Sequence, residues 1–101
     1  MSQKVLTLLG FASKAGKLSY GARIAAQSVK AKKAKLVIRA EGVSQKSQKE
    51  IEYFANSGNL PVIRLKEDMQ TLSRAVGKTC GILSVNDKNF ADPIILQEDK
   101  K

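Results

Sequence analysis

The chain contains no histidine and a single cysteine, Cys80. Those absences exclude a histidine general base, a Ser-His-Asp triad, a histidine-containing zinc site and any internal disulfide. A chain of this kind suits a reducing compartment. No apolar run approaches the roughly 20 residues that span a bilayer. Residues 5–12 follow a lysine and are mostly apolar, yet Thr7 and Gly10 break the run and Lys14 and Lys17 follow it at once. That pattern is not a signal peptide, so a cytoplasmic location is expected. The third absence says most: residues 1–40 hold no acidic side chain.

Those same 40 residues hold nine basic ones, namely Lys4, Lys14, Lys17, Arg23, Lys30, Lys32, Lys33, Lys35 and Arg39. The remaining nine basic and all nine acidic side chains fall after residue 40 and cancel, so the net charge of +9 belongs to the first 40 residues. A one-sided basic field attracts polyanions, with nucleic acid the first candidate and an anionic membrane surface the second. At 101 residues, 43% hydrophobic and 27% charged, the chain has the composition of one globular domain with a real core. Residues 1–97 are expected to form it, with residues 98–101 as a loose tail.

Helices and strands alternate along the sequence. Val5, Leu8, Leu9 and Ala12 make one helical stripe behind a Ser2 cap, ended by Ala15-Gly16. Residues 17–20 form a brief extended segment. Gly21 opens a second helix with Ile24, Ala25, Ser28 and Val29 inward, running into a basic turn at residues 30–35. Leu36-Val37-Ile38 reads as a strand covered on both faces. After a loop at residues 41–43, Ser44 or Ser47 caps a third helix, Ser47 with Glu50 forming a capping box. Ile51, Phe54 and Ala55 face inward in it. Residues 61–65 are the next strand, with Pro61 at its start. Asp68 caps a short helix carrying Met69, Leu72, Ala75 and Val76, closed by Gly77. Residues 80–85 form another apolar strand, and Asn86 or Asp87 starts a last helix, where Pro93 implies a kink or a restart at Asp92. The whole predicts an α/β fold, a three-layer α/β/α sandwich on a small mixed, largely parallel four-stranded sheet.

Catalytic machinery is hard to assemble from these residues. Gly77-Lys78-Thr79 ends like a phosphate-binding P-loop, but Leu72 stands where the motif requires glycine, and a helix precedes rather than follows. Gly10 and Gly16 have the wrong spacing for the same motif and read as helix ends. Cys80 opens an apolar strand and reads as a buried, inert thiol. Glu41 is the one carboxylate at the C-terminal end of a strand, where ligands bind in such sheets. The acidic residues offer no pairing for acid–base work, so no enzyme activity, metal or cofactor is expected. The segment 14–35 is the stronger candidate. It joins a glycine at a helix opening, where free N–H groups and the dipole suit a phosphate, to flanking Lys14, Lys17 and Arg23.

Lys17-Leu18-Ser19-Tyr20-Gly21, the run Ala34-Lys35-Leu36-Val37-Ile38-Arg39-Ala40-Glu41, and Leu72-Ser73-Arg74-Ala75-Val76-Gly77 carry a resemblance to one family. It is the L-seven-Ae family of kink-turn RNA-binding ribosomal proteins, in particular its small bacterial members. The resemblance covers the chain in register from about Val5 to Asp87. It implies an α/β/α sandwich that binds RNA at one end of the sheet. The helix opening at Gly21 would meet tandem G·A pairs of a kinked internal loop. Glu41, Gly42 and Val43, with Val76, Gly77, Lys78 and Thr79, would contact the bulged nucleotides. Lys14, Lys17 and Lys33 belong to the same basic region. The archaeal pattern continues Thr-Asn-Glu with a lysine three positions later, where this chain has Ala22, Arg23, Ile24 and Gln27. Arg23 and Ile24 do not reproduce the base-edge contacts of Asn and Glu, and Ser73 replaces a second glycine of the later motif.

The expected function is non-enzymatic binding of structured RNA, kink-turn-like or ribosomal, by a ribosomal or ribosome-associated protein. The alternative is a protein-interaction module of the translation machinery that has lost kink-turn recognition. The expected partner is structured RNA, with no membrane, and the free protein is expected to be a monomer.

Overall fold

The computed structural model describes residues 2–99, apart from the side chains of Ser2 and Asp99. Its elements alternate as α1 (Ser2–Lys14), β1 (Leu18–Tyr20), α2 (Ala22–Lys30), β2 (Leu36–Glu41), α3 (Gln45–Ser57), β3 (Val62–Asp68), α4 (Met69–Val76), β4 (Ile82–Val85) and α5 (Lys88–Asp99). The four strands form one sheet in the order β1-β4-β2-β3. On one face lie α2 and α3, where Ala25, Val29, Ile51 and Ala55 close over Val37 and Ile82. On the other lie α1, α4 and α5, whose Val5, Leu9, Leu72 and Ile94 bury Leu36, Ile38, Leu65 and Leu83. Covering both faces is why β2 and β4 read as continuous apolar runs, whereas the edge strand β3 alternates, with Arg64 and Lys66 exposed.

The sheet is mixed, but it is not largely parallel. Only β2 and β3 run parallel, while β4 is antiparallel to both β1 and β2. The cause is the route after β3. α4 begins directly at the end of β3, and the chain leaving it enters β4 at Ile82, which pairs with Arg39 near the end of β2 where β3 also finishes. Two-sided burial makes parallel and antiparallel strands look alike in sequence.

Several local expectations are corrected. Ile24 is 47% exposed, because the inward stripe of α2 is Ala25, Ser28 and Val29 and Ile24 lies about 40° outside its edge. Met69 is also exposed, at the first position of α4. Gly10 is not a helix end. It sits inside α1 where α4 crosses, and a Cβ there would meet the Ala75 carbonyl oxygen at 3.1 Å. Ser44, not Ser47, caps α3 by accepting from the Ser47 N–H at 3.2 Å, so no Ser47–Glu50 box forms. Asp87 caps α5, which runs unbroken through Pro93 with no restart at Asp92. That helix continues through Glu98 to Asp99, replacing the expected tail, while Lys100 and Lys101 lie outside the described residues. α1 already includes Ser2, and the cap expected of its side chain lies outside the described residues too.

One buried polar cluster fixes α2 on the sheet. The Ser28 and Ser84 hydroxyls, both buried, donate to Asn86 Oδ1 at 2.7 and 2.9 Å, and Asn86 Nδ2 donates to Ser19 Oγ at 2.8 Å. Asn86→Ala leaves both hydroxyls without their acceptor and is expected to lower stability by about 2–4 kcal/mol. A denaturant midpoint equal to the wild type would show the cluster to be dispensable.

Candidate nucleic-acid interface

The register brings distant segments to one end of the sheet. Tyr20 at the end of β1 pairs with Leu83, and Arg39 of β2 pairs with Ile82 at the start of β4. Glu41 pairs with Asp68 at the end of β3. The Gly21 N–H donates to the Ile82 carbonyl at 2.7 Å, and the Ala40 N–H to that of Gly81 at 2.8 Å. The helix opening, the 41–43 loop and the 76–79 loop therefore meet at this Gly21 end.

Gly21 has φ 93° and ψ 151°, a conformation that only glycine adopts readily. Among the described residues no side chain caps α2, whereas Ser44 and Asp68 occupy first-turn amides of α3 and α4. The opening of α2 thus keeps its N–H groups and the positive end of its dipole for an outside acceptor. Ala22, Arg23 and Gln27 line a groove between α2 and α3, with Gln27 a turn away from the opening. Arg23 is exposed beside it.

The two loops are held by contacts that sequence reasoning did not find. Gly42 takes φ 85°, and the Val43 carbonyl accepts from Gln48 Nε2 at 2.6 Å, tying the 41–43 loop to α3. Gly77 ends α4 in the left-handed conformation, followed by exposed Lys78 and Thr79. Ser73 Oγ accepts from the Cys80 N–H at 3.0 Å and donates to the Cys80 carbonyl at 3.2 Å, closing that loop. The serine in place of the expected glycine is a clasp. Ser13 Oγ donates to the Val76 carbonyl at 2.6 Å and shares a 2.5 Å hydrogen bond with Tyr20 Oη. Lys78 Nζ stands 5.0 Å above the Tyr20 ring. Ser13 and Val76 are 63 positions apart, and no local signal joins them. Val43 and Met69 close on Gly81, where a Cβ would meet Met69 Cγ at 2.7 Å.

Lys14 joins this end, sharing a groove between α1 and α4 with Arg74, Val76 and Gly77. Lys17 and Lys33 do not. Lys17 lies at the opposite end, 3.9 Å from Asp87, and Lys33 lies in the turn that leads into Leu36, also opposite. The sequence segment 14–35 is therefore split between two ends of the molecule. The physical cause is that β1 carries the chain away from Lys17 to Gly21, and α2 then carries it back along the sheet to Lys33.

Cys80 is a buried free thiol whose pKa burial pushes above its ordinary value, as suits an inert core residue. Glu41 is exposed at the end of β2 rather than within the loop. Among the described residues, no group of three or more Cys, Asp or Glu could hold a metal ion, and no helix is long and apolar enough to cross a membrane.

Comparison with known proteins agrees with this architecture. The family described as ribosomal protein L7Ae/L30e/S12e/Gadd45 matches residues 3–95. The RNA-binding protein YlxQ of Enterococcus faecium is 27% identical over 89 residues, 88% of this chain and 85% of that protein. A protein of unknown function from Bacillus halodurans superposes with a TM-score of 0.90 at 28% identity, over 95% of this chain and 97% of that one. The 15.5 kD RNA-binding protein of Giardia lamblia shares the fold, with a TM-score of 0.79 at 19% identity, over 98% of this chain and 88% of that one.

Proposed function

The chain belongs to the ribosomal protein L7Ae/L30e/S12e/Gadd45 family, and from that premise we propose that it binds structured RNA through the Gly21 end of its sheet. It is a binding protein and not an enzyme. One observation carries the reading: the uncapped opening of α2, the 41–43 loop and the 76–79 loop converge there although up to 58 positions separate them. The α2 amides would take a phosphate oxygen, Arg23, Lys78 and Lys14 would flank it, and Val43 would present an apolar contact to an unstacked base. The name of the Enterococcus relative supports RNA as the partner. Ribosomal RNA in the cytoplasm, bound by a monomer, is the form of this function that we propose.

Kink-turn selectivity is expected to be weak. Ile24 is exposed on α2 and offers no acceptor to a base edge. That exposed apolar side chain favours the second reading, a protein-interaction module of the translation machinery. The measurement is a titration of a kink-turn RNA against a plain bulged duplex. A modest preference is expected, and Arg23→Asn with Ile24→Glu should widen it. A natural preference above roughly a hundredfold, about 2.7 kcal/mol, would contradict this reading of Arg23 and Ile24. Absence of binding to any structured RNA would leave the protein-interaction reading in its place.

A further inference from the structure

The charge that looked one-sided in sequence has two poles in space. Lys30, Lys32, Lys33 and Lys35 lie together where α2 hands over to β2, at the end of the sheet opposite Gly21. Strand β2 separates the poles, which puts them about 17 Å apart. All four lysines are exposed, and none takes part in the ion pairs found among the described residues. The dipole of α2 accounts for Lys30 in its last turn, but Lys32, Lys33 and Lys35 lie beyond the helix.

The turn that displays them is rigid. Lys32 has φ 62°, a left-handed conformation uncommon outside glycine. Successive amides are all bonded: Lys32 N–H to the Val29 carbonyl, Lys33 and Ala34 N–H to that of Ser28, and Lys35 N–H to that of Val85. Lys30, Lys32 and Lys35 rim a concavity whose far wall is Ser57, Asn59 and Phe54. Lys30 Nζ stands 4.7 Å above the Phe54 ring. Tyr53, 68% exposed, meets Phe54 edge to face at 5.5 Å between centroids.

Cations on a rigid turn beside Phe54, with the exposed Tyr53 ring packed against Phe54, offer the combination that holds single-stranded nucleic acid, phosphates on the ammonium groups and a base on the outer ring. A membrane fits less well. The exposed Phe11, Ile24, Met69 and Leu96 do not line this concavity, and the aliphatic side chains in its wall, Val29 and Leu60, are buried or half-buried, so neither forms a protruding wedge. We propose that this pole is a second RNA site, which takes a single-stranded segment while the Gly21 end holds a folded one. One molecule would then join two RNA segments. The proposal rests on RNA being the partner, and the two sites can fail separately.

The test uses the full chain, saturated with a donor-labelled kink-turn RNA and titrated with an acceptor-labelled oligouridylate of about twelve nucleotides. The expected result is a ternary complex seen by energy transfer. Lys32→Gln, Lys33→Gln and Lys35→Gln together should weaken the oligouridylate at least about tenfold and lower its salt slope by about 2, with kink-turn affinity changed less than about threefold. Tyr53→Ala should weaken the oligouridylate severalfold without moving its salt slope. Competition between the two RNAs, or equal weakening of both by the triple change, would overturn the second site in favour of a diffuse field. So would loss of sedimentation with phosphatidylserine vesicles while the oligouridylate binds as before. If the kink-turn RNA fails to bind but the oligouridylate still loses tenfold on the triple change, the second site stands and the Gly21 reading falls.

Discussion

Gly21→Val is expected to weaken binding of a structured RNA by about thirtyfold or more, close to 2 kcal/mol, without changing the net charge of +9. The structure sharpens the cause. A Cβ at residue 21 meets no atom within 4 Å, so a valine there points into open space. That is the space the RNA backbone must enter to reach the amides of α2. At φ 93° and ψ 151°, any side chain also strains the backbone, with a stability cost of about 1–3 kcal/mol. Thermal melting should therefore fall as well, by about 4–8 °C per kcal/mol. The two effects separate because a domain with about 5 kcal/mol of stability stays more than nine-tenths folded after losing 3. Asn59→Val is the control. Asn59 has φ 56° and is exposed, but it lies just before β3, whose first residue Val62 pairs with Val37 at the end of the sheet opposite Gly21. It should lower the melting temperature and leave affinity for the structured RNA nearly unchanged. Equal affinity losses from the two changes would show that the opening of α2 is not the site.

A steep response to salt is the second large effect. Four cations border the Gly21 end: Arg23 on α2, Lys78 after α4, and Lys14 with Arg74 in the adjoining groove. If each displaces one counterion, affinity for a short structured RNA should fall by about two orders of magnitude between 50 and 200 mM salt. A longer RNA reaching the Lys35 end would recruit more cations and fall by about three. A flat response in a fluorescence titration would contradict a phosphate-dominated interface. Neutralising Lys32, Lys33 and Lys35 should leave the slope for the short RNA unchanged. Had the +9 charge acted as one field, every lysine in residues 1–40 would count alike.

Much of the fold was legible because it is written in local chemistry. The stripe Val5, Leu9, Ala12 places α1, Asp68 and Gly77 bracket α4, and Leu36-Val37-Ile38 marks a strand with both faces covered. Gly21 as a helix opening was legible as well, since a glycine before an apolar helical stripe signals a strand-to-helix turn. The family resemblance extended this to the loops at residues 41–43 and 76–79. Ile24 was misplaced because a helical period assigns its neighbours to a stripe but not the edge of that stripe.

Composition and spacing by themselves determined an α/β fold with a basic first half and no histidine chemistry, because these depend on residue types and on neighbours within a turn or two. Only the tertiary structure decided which way the strands run, that Ser13 and Ser73 clasp the 76–79 loop, and that Lys17 and Lys33 lie away from Gly21. Strand direction follows from where α4 delivers the chain, and two-sided burial hides it in the sequence. Charge adjacency in sequence became separation in space because a nine-residue helix, about 13 Å long, carries the chain from one end of the sheet to the other.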